Sequence, residues 1–281
     1  MSESSGGLPR SQEVDASFPE SRDVDMGVIY SGEDELIGDL LPALERSGDD
    51  LRKRLILIDN ATASGVSRWE SVFRETTVLR NQRSLGYAAN LNRVLEAASA
   101  RYVLLLNTDM QFEPAEQCVM KMVQFMDERP DCGISICRVY HADGSFAYPA
   151  RRYQTLATLA ARRLPLGGLL SKSLDRYLYR DRDVNSVFDC DWVSGCFMML
   201  RRAAAADVGR FDVGFYKYFE DVDMCRRLHL AGWRVMYNGG TQCVHLEQRA
   251  SKRAISRDGW LHLRAYVRWL LKWHVFGHSS R

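Results

Sequence analysis

A short apolar run that ends in polar side chains, at residues 102–109, constrains the fold of this chain more than any other segment. The run reads Tyr-Val-Leu-Leu-Leu and leads directly into Asn107, Thr108 and Asp109. Its length and composition predict a buried strand, as in a parallel sheet. In open α/β sheets, ligands bind just beyond the carboxyl ends of the strands. A carboxylate beside a second oxygen ligand there suits Mg²⁺ or Mn²⁺ carrying a diphosphate, so a nucleotide-diphosphate substrate is the first hypothesis.

Strands and helices alternate through residues 25–140, which predicts an α/β fold with a parallel sheet and right-handed crossovers. Apolar periodicity predicts helices over 33–44, 87–98 and 114–128, and apolar runs predict strands over 25–30, 54–59, 77–79, 102–109 and 133–140. Beyond residue 140 the pattern is less regular. There it predicts strands over 192–200 and 234–237, a helix over 219–231, and an amphipathic helix from Trp260.

Composition narrows the class of protein. With 281 residues, 46% of them hydrophobic, the chain suits one large α/β domain, alone or with a small appendage. A net charge of +2 is too small to favour nucleic-acid binding by the whole chain. Seven scattered cysteines without a C-x-x-C pair predict buried thiols of a reducing compartment. Residues 1–24 are polar, and no apolar run reaches membrane-spanning length, so we expect a disordered tail and a cytoplasmic protein.

Acidic residues at two strand ends are candidate ligand-binding groups. Asp59 and Asp109 each follow a predicted buried strand, so both can face one crevice. A carboxylate such as that of Asp59 can accept a hydrogen bond from a pyrimidine N3–H. The alternative is that Asp59 and Asn60 simply cap a turn, and the residues alone leave both interpretations open.

The loop from Asn81 to Asn90 precedes a predicted helix. Gly86 allows close backbone approach to a ligand, and the amides at a helix N-terminus favour phosphate. Arg83 and Asn90 offer further donors. For any one of these residues taken alone, an ordinary loop before a helix is the preferred explanation.

Three acids lie close together at residues 220–223. Glu220, Asp221 and Asp223 repel one another and cost stability unless they are solvated or used. An acidic first turn also favours the helix dipole, which is the structural alternative. The aromatic lead-in at 215–219 makes burial of the turn, and hence function, the preferred interpretation. His245 becomes a functional candidate only if it joins Asp109 at a metal.

Taken in order, these motifs resemble inverting family 2 glycosyltransferases of the GT-A fold over residues 25–275. The motifs are Asp59-Asn60, the 81–92 segment around Gly86-Tyr-Ala-Ala-Asn90, Asn107-Thr-Asp109, Trp192-Val-Ser-Gly195, Gly209-Arg-Phe-Asp212, Glu220-Asp221-Val-Asp223 and His245. Each motif is weak alone, but their order and spacing are specific. The chain is most similar to the rhamnosyltransferase-like branch, which builds bacterial surface polysaccharides.

The resemblance implies roles for these residues. Asp221 would be the general base, supported by Glu220, and Asp109 with His245 would hold a divalent metal, Mg²⁺ or Mn²⁺. The nucleotide-sugar donor would be bound by Asp59 at the base and by Asn60, Arg83, Gly86, Asn90 and Asn107. Trp192 and Gly195 would line the acceptor side. Asn107 replaces the first aspartate of the family's DXD-type motif, and a neutral amide is the weaker metal ligand.

The resemblance also implies an activity: transfer of a sugar, with rhamnose from dTDP-rhamnose preferred, to a glycan or lipid-diphosphate acceptor. A UDP-hexose or UDP-N-acetylhexosamine donor is one alternative, and a non-catalytic nucleotide- or carbohydrate-binding protein is another. The expected divisions are a tail (1–24), a GT-A catalytic domain (25–248, with a donor half to 140 and an acceptor half from 141) and a C-terminal helix (249–281).

The C-terminal segment is basic and carries a tryptophan-containing apolar stripe. Residues 249–281 hold eight Lys or Arg and one Asp, and residues 151–182 hold eight against two. A basic amphipathic helix suits peripheral contact with an anionic membrane surface. A helix packed on the catalytic domain fits the same pattern, and both interpretations stay open.

Overall fold

The computed structural model describes residues 22–48, 50–63, 65–155, 158, 171–246 and 257–275. The predicted tail up to residue 21 and the start of the predicted C-terminal segment, 249–256, lie outside these ranges. Within the described ranges, no helix is both long and apolar enough to cross a membrane.

The first half of the chain alternates strands and helices as predicted. Its elements are β1 (Val24–Tyr30), α1 (Asp34–Arg46), β2 (Lys53–Asp59), β3 (Thr76–Arg80), α2 (Tyr87–Ala97), β4 (Tyr102–Leu106), β5 (Met110–Gln111), α3 (Cys118–Asp127) and β6 (Cys132–His141). Single 3₁₀ turns occupy Ser67–Trp69 and Pro114–Glu116. The second of these replaces the start of the helix predicted over 114–128.

Within the described residues, the second half contributes four short strands, one long strand and four helices. Its elements are β7 (Ala150–Arg151), α4 (Ser171–Tyr177), β8 (Val187–Asp189), β9 (Trp192–Val193), β10 (Phe197–Arg201), α5 (Arg202–Val208), α6 (Glu220–Leu230), β11 (Arg234–His245) and α7 (Arg257–Leu270). A π-helical turn, Leu271–Val275, follows α7.

One mixed sheet of nine strands organises the molecule, in the order β3-β2-β1-β4-β10-β6-β11-β5, with β8 also paired to β11. The strands β3, β2, β1 and β4 are parallel, as predicted. β10 runs antiparallel between β4 and β6, so a strand from the second half interrupts the parallel series. Helix α2 packs closely on β1 because Gly27 has no side chain: a Cβ there would lie 2.4 Å from a methyl carbon of Val94.

Three predicted strands have different bounds in the structure. The strand predicted over 102–109 ends at Leu106, and Asn107–Asp109 forms a turn before β5. The strand predicted over 192–200 is divided into β9 and β10 by the Ser194–Cys196 loop. The strand predicted over 234–237 continues to His245, because β11 passes through a pairing irregularity between Asn238 and Gln242. Two glycines at that irregularity conceal the continuation in the sequence.

The seven cysteines are all buried and free, which confirms the prediction of buried thiols.

Candidate active site

Two cavities lie beside each other at the carboxyl end of the parallel strands. The larger has a volume of about 620 Å³, and Asn60, Asn107 and Asp109 line it. The smaller has a volume of about 260 Å³, and Glu220 and Asp221 line it. Tyr218 and His245 line both cavities, so the two spaces meet at these side chains. The sheet thus brings the predicted donor-side and acceptor-side residues to one edge.

An asparagine network shapes the larger cavity. Asn60 Oδ1 accepts hydrogen bonds from Asn81 Nδ2 and from the backbone N–H of Leu85, both at 2.8 Å. Asn81 Nδ2 also donates to Asn90 Oδ1 at 2.7 Å, and Asn90 Nδ2 donates to the Leu85 carbonyl at 3.3 Å. These bonds tie the 81–90 loop to the end of β2. Asn60 and Asn90 therefore hold the cavity wall as well as lining it.

Three predicted donor-binding residues do not line the larger cavity. Asp59 is buried at the end of β2, where its Oδ1 accepts the backbone N–H of Thr62 at 2.9 Å and the Thr62 hydroxyl at 2.8 Å. The structure thus shows the turn cap, and Asp59 Oδ2 makes no hydrogen bond within the described residues. Arg83 is exposed. Gly86 allows close approach of another loop, since a Cβ there would lie 2.7 Å from the Tyr216 carbonyl oxygen.

Tyr87 joins the two cavities by hydrogen bonds. Its hydroxyl oxygen lies 2.9 Å from Asn107 Oδ1 and 3.1 Å from the carbonyl oxygen of Gly195. Burial raises the pKa of Tyr87 well above its usual value, so the phenol keeps its proton and donates. Because Tyr87 engages Asn107 Oδ1, the amide N–H groups of Asn107 are left to meet an acceptor in the cavity, such as a phosphate or hydroxyl oxygen.

Asp109 and His245 form the candidate metal pair. β5 pairs antiparallel with β11, with Met110 opposite His245, and this pairing places His245 Nε2 3.1 Å from Asp109 Oδ1. Burial alone would lower the pKa of His245, but hydrogen bonds with Asp109 and Cys196 raise it to about 10. Within the described residues, no group of three or more His, Cys, Asp and Glu side chains is arranged to hold a metal by itself.

The spacing of this pair nevertheless fits an octahedral cation. Two ligands about 2.1 Å from one ion at right angles lie roughly 3 Å apart, close to the observed separation of Asp109 and His245. The protein would supply two ligands, and diphosphate oxygens and water the others, as is usual for Mg²⁺. Metal binding would replace the proton that His245 carries.

Asp221 lines the smaller cavity, and two backbone N–H groups hold its carboxylate in place. Its Oδ2 accepts the N–H of Gly195 at 2.9 Å, and its Oδ1 accepts the N–H of Val222 at 2.8 Å. Burial raises the pKa of Asp221, while these two N–H groups and the charge of Arg151 act to lower it. A carboxylate with a raised pKa, fixed by backbone donors and facing a cavity, is suited to accept a proton.

Glu220 is the more deeply buried of the two neighbouring acids. Burial and the charge of Asp221 raise the pKa of Glu220 well above its usual value. Among the described residues, its Oε2 has no hydrogen-bond partner. The two carboxyl groups thus differ in environment, and Glu220 is the one held protonated while Asp221 ionises first.

The turn before α6 is held in an unusual backbone conformation. Tyr218 and Phe219 have φ values of 72° and 68°, in the left-handed region that bulky residues seldom adopt. The rings of His262 and Trp269 on α7 pack against Phe219, with centroids 5.3 Å and 6.1 Å away. This packing holds the turn, and the turn directs Glu220 and Asp221 into the smaller cavity.

Of the two predicted acceptor residues, Trp192 lines the smaller cavity, whereas Gly195 does not and lies between two residues that do. Trp192 on β9 lines it and uses its indole N–H to bond the Arg152 carbonyl at 2.8 Å. Gly195 contributes its backbone to the Asp221 and Tyr87 bonds. Arg151 also lines this cavity, with its guanidinium 5.2 Å from the Trp192 ring centre.

Sequence reasoning missed three residues at this site: Tyr87, Arg151 and His262. Tyr87 stood inside a recognised motif, so a buried phenol next to Gly86 was a signal available in the sequence. Arg151 lies in the basic segment after residue 150, and its positive charge was the only feature of the sequence that could have indicated a role at the site. No local pattern distinguishes His262.

By contrast, Asp223 is structural, because it pairs with Arg227 at 2.9 Å and with Lys272 at 2.7 Å.

Comparison with known proteins identifies a matching family and several relatives. The sequence model of glycosyl transferase family 2 matches residues 29–209. Rhamnosyltransferase WbbL of Escherichia coli K12 is 25% identical over 180 residues, which cover 64% of this chain and 65% of that protein. The N-acetylglucosaminyl-diphospho-decaprenol L-rhamnosyltransferase of Mycobacterium tuberculosis is 25% identical over 229 residues, which cover 75% of this chain and 71% of that protein.

A solved structure shares the fold. The structure of GalNAc-T7 with UDP, GalNAc and Mn²⁺ superposes with a TM-score of 0.63 at 13% identity, covering 90% of this chain and 48% of that one. This chain therefore spans about half the length of that protein and just under two thirds of WbbL.

Proposed function

Because the chain belongs to glycosyl transferase family 2, we propose that it transfers a sugar from a nucleotide-diphosphate donor to an acceptor hydroxyl, with inversion at the anomeric carbon. The arrangement that carries the proposal is the junction of the two cavities. Asp109 and His245 lie on the larger side, Asp221 lies on the smaller side, and His245 lines both. A donor in the larger cavity would thus present its anomeric carbon toward the base in the smaller one.

The proposed reaction is one in-line displacement. Asp221 takes the proton of the acceptor hydroxyl while that oxygen forms a bond to the anomeric carbon. The bond from that carbon to the diphosphate oxygen breaks on the opposite face, and the nucleoside diphosphate leaves with the electron pair. A divalent cation held by Asp109 and His245 would neutralise charge on the leaving diphosphate.

For the donor we propose dTDP-rhamnose first, on the strength of the two rhamnosyltransferase relatives. UDP-hexoses and UDP-N-acetylhexosamines are the alternative donors, because the described residues offer no group that separates thymine from uracil. Asp59 lies outside the larger cavity, but its Oδ2 lacks a hydrogen bond within the described residues. We propose that it reads the N3–H of a base that extends beyond that cavity. Asn60, Asn90 and Asn107 would hold the sugar nucleotide.

For the acceptor we propose a glycan or a lipid-linked diphosphate, used in bacterial surface polysaccharide synthesis on the cytoplasmic side of the membrane. The mycobacterial relative, whose name contains a diphospho-decaprenol, supports the lipid-linked form. Trp192 offers an aromatic surface for a sugar ring, and Arg151 offers a positive charge for a phosphate.

Donor screening tests the proposal directly. The protein is incubated with a panel of dTDP-, UDP- and GDP-sugars, with Mn²⁺ or with EDTA, and thermal shift and hydrolysis of the donor are measured. We expect stabilisation and slow hydrolysis with at least one donor, strongest for dTDP-rhamnose and dependent on metal. If no sugar nucleotide produces either response, the transferase proposal fails.

A further inference from the structure

Helix α7 has two apolar faces, and only one of them packs on the protein. Ala265, Tyr266 and Trp269 are buried against the catalytic domain. Four other apolar side chains of the helix and its last turn are exposed instead: Trp260 (66%), Leu263 (38%), Val267 (46%) and Leu271 (43%). We call these four residues the outer stripe. These four residues are the part of the predicted apolar stripe that is turned away from the domain, whereas Leu270, on the same predicted stripe, is partly buried against the core.

The outer stripe is continuous along the helix. With about 100° of rotation per residue, its four positions fall within an arc of about 80°, on the side of the helix opposite Ala265 and Trp269. The packing of α7 does not require the outer stripe, because the buried face already anchors the helix. Lys272 and Trp273 strengthen this anchor through bonds to Asp223 of 2.7 Å and 3.0 Å. Because the helix is already anchored by its other face, the exposed apolar stripe indicates a contact with something other than the described residues.

Two positively charged side chains lie beside the outer stripe on α7. Arg264 is exposed beside it and makes no ion pair within the described residues, and Arg268 is held beside it by Asp212 at 3.1 Å. In sequence, residues 249–281 carry eight Lys or Arg and a single Asp. The complementary partner is therefore apolar and anionic at once. A second copy of the chain fits poorly, because it would bring like charges together.

The outer stripe lies close to the smaller cavity. His262, on the same helix, lines that cavity, and its ring packs 5.3 Å from the ring of Tyr218. Val213 is also exposed, next to the Asp212 that Arg268 and Lys272 bind. The outer face of α7 is therefore apolar and basic, and its inner face forms part of the wall of the smaller cavity.

We propose that the outer stripe docks the protein on an anionic lipid bilayer, with α7 lying in the plane of the headgroups. Trp260, Leu263, Val267 and Leu271 enter the acyl boundary, while Arg264 meets lipid phosphate. The inference rests on the proposed function in one respect: docking there sets the smaller cavity at the membrane surface, where a lipid-linked acceptor presents its diphosphate.

Vesicle flotation tests this surface independently of activity. Full-length protein is mixed with vesicles of phosphatidylcholine alone or with 30% phosphatidylglycerol, at low and high salt. We expect the wild type to float with the anionic vesicles only, and less so at high salt, because the charge interaction is screened. The double variant Leu263→Gln with Val267→Gln should bind these vesicles at least about tenfold more weakly, because both side chains lose apolar contact.

Matched variants separate the surface from general effects. Leu230→Gln replaces an apolar residue that is 71% exposed at the end of α6, and it should float like the wild type. Arg264→Gln should weaken binding to anionic vesicles and reduce its salt dependence. Equal flotation of the Leu263/Val267 variant and the wild type would refute the proposal, as would no flotation of the wild type. A wild-type dimer in solution that the double variant converts to a monomer would assign the stripe to a second copy instead.

Donor hydrolysis in the absence of vesicles distinguishes the two proposals. The double variant should hydrolyse the donor at the wild-type rate, because neither residue lines the larger or the smaller cavity. If the double variant no longer floats but still hydrolyses the donor, membrane docking is supported. If the wild type floats but hydrolyses no sugar nucleotide, docking is still supported and the transferase proposal fails.

Discussion

The backbone N–H of Gly195 donates a hydrogen bond of 2.9 Å to Oδ2 of Asp221, while the carbonyl of the same glycine lies 3.1 Å from the Tyr87 hydroxyl. A single peptide segment thus connects the candidate base with Tyr87 and, through it, with Asn107 on the donor side. The β4–β10 pairing explains the arrangement, because it sets Phe197 opposite Leu106 and so places the Ser194–Cys196 loop beside Asn107.

Asp221→Asn should abolish sugar transfer and leave donor binding nearly unchanged. The amide keeps the size of the side chain but cannot accept the acceptor proton, and removal of a general base typically costs about 10²–10⁴ in rate. Transfer rate and the dissociation constant of the donor are the two measurements. Turnover near the wild-type rate would remove Asp221 from this role.

Arg151→Gln should move the acid limb of the pH–rate profile to higher pH. The base works only when ionised, so activity falls as pH drops through the pKa of Asp221. The charge of Arg151 lowers that pKa, and its loss would raise it further. Arg151→Lys keeps the charge and is the control. An unchanged acid limb in the glutamine variant would show that Arg151 does not act on the base.

Tyr87→Phe should lower the transfer rate about tenfold while leaving the acid limb in place. The change removes the bridge between Asn107 and Gly195, and a lost buried hydrogen bond costs about 1–3 kcal/mol. The Gly195 N–H still bonds Asp221, so the pKa of the base is preserved. Tyr102→Phe is the matched control, because its hydroxyl bonds Asp127 at 2.6 Å away from both cavities. Equal losses in the two variants would indicate a purely structural role.

Asp109→Asn should raise the Mn²⁺ concentration needed for half-maximal donor hydrolysis, by roughly tenfold or more. An amide oxygen is neutral and binds a hard cation more weakly than a carboxylate. Asp131→Asn, at an exposed carboxylate, is the control. A metal requirement unchanged by the Asp109 substitution would place the cation elsewhere.

Local patterns were sufficient for the elements and for several site residues. The apolar run before Asn107 predicts β4, and the strand-end rule places Asp109 at the ligand-binding edge. The acidic turn at Glu220 and Asp221 is likewise visible, because its aromatic lead-in signals burial. Both features depend on neighbours in sequence, which periodicity and composition report directly.

Contacts between distant segments were beyond such patterns. His245 meets Asp109 only because β11 continues past Gly239 and Gly240, beyond the strand predicted over 234–237. The bond between Tyr87 and Gly195 joins residues 108 positions apart and needs β10 in the middle of the sheet. For α7, periodicity predicted the helix and its apolar stripe but not that another face would be buried, since Tyr266 and Trp269 offer an aromatic surface as well.

Glu220→Gln should stabilise the protein, increasingly so as pH rises above about 4.5. The folded-state pKa of Glu220 lies above the usual value of 4.5, so the folded protein retains a proton that the unfolded chain releases. The contribution of Glu220 to the free energy of unfolding is therefore fully present below about pH 4.5 and is lost as pH rises above it, until the folded protein ionises too. Glutamine does not titrate and removes this loss. The difference in melting temperature between variant and wild type should widen by roughly 2–4 °C per pH unit in that range. Glu128→Gln, at an exposed carboxyl, is the control variant. A difference for Glu220→Gln that stays flat over this pH range would mean that Glu220 is ionised in the folded protein.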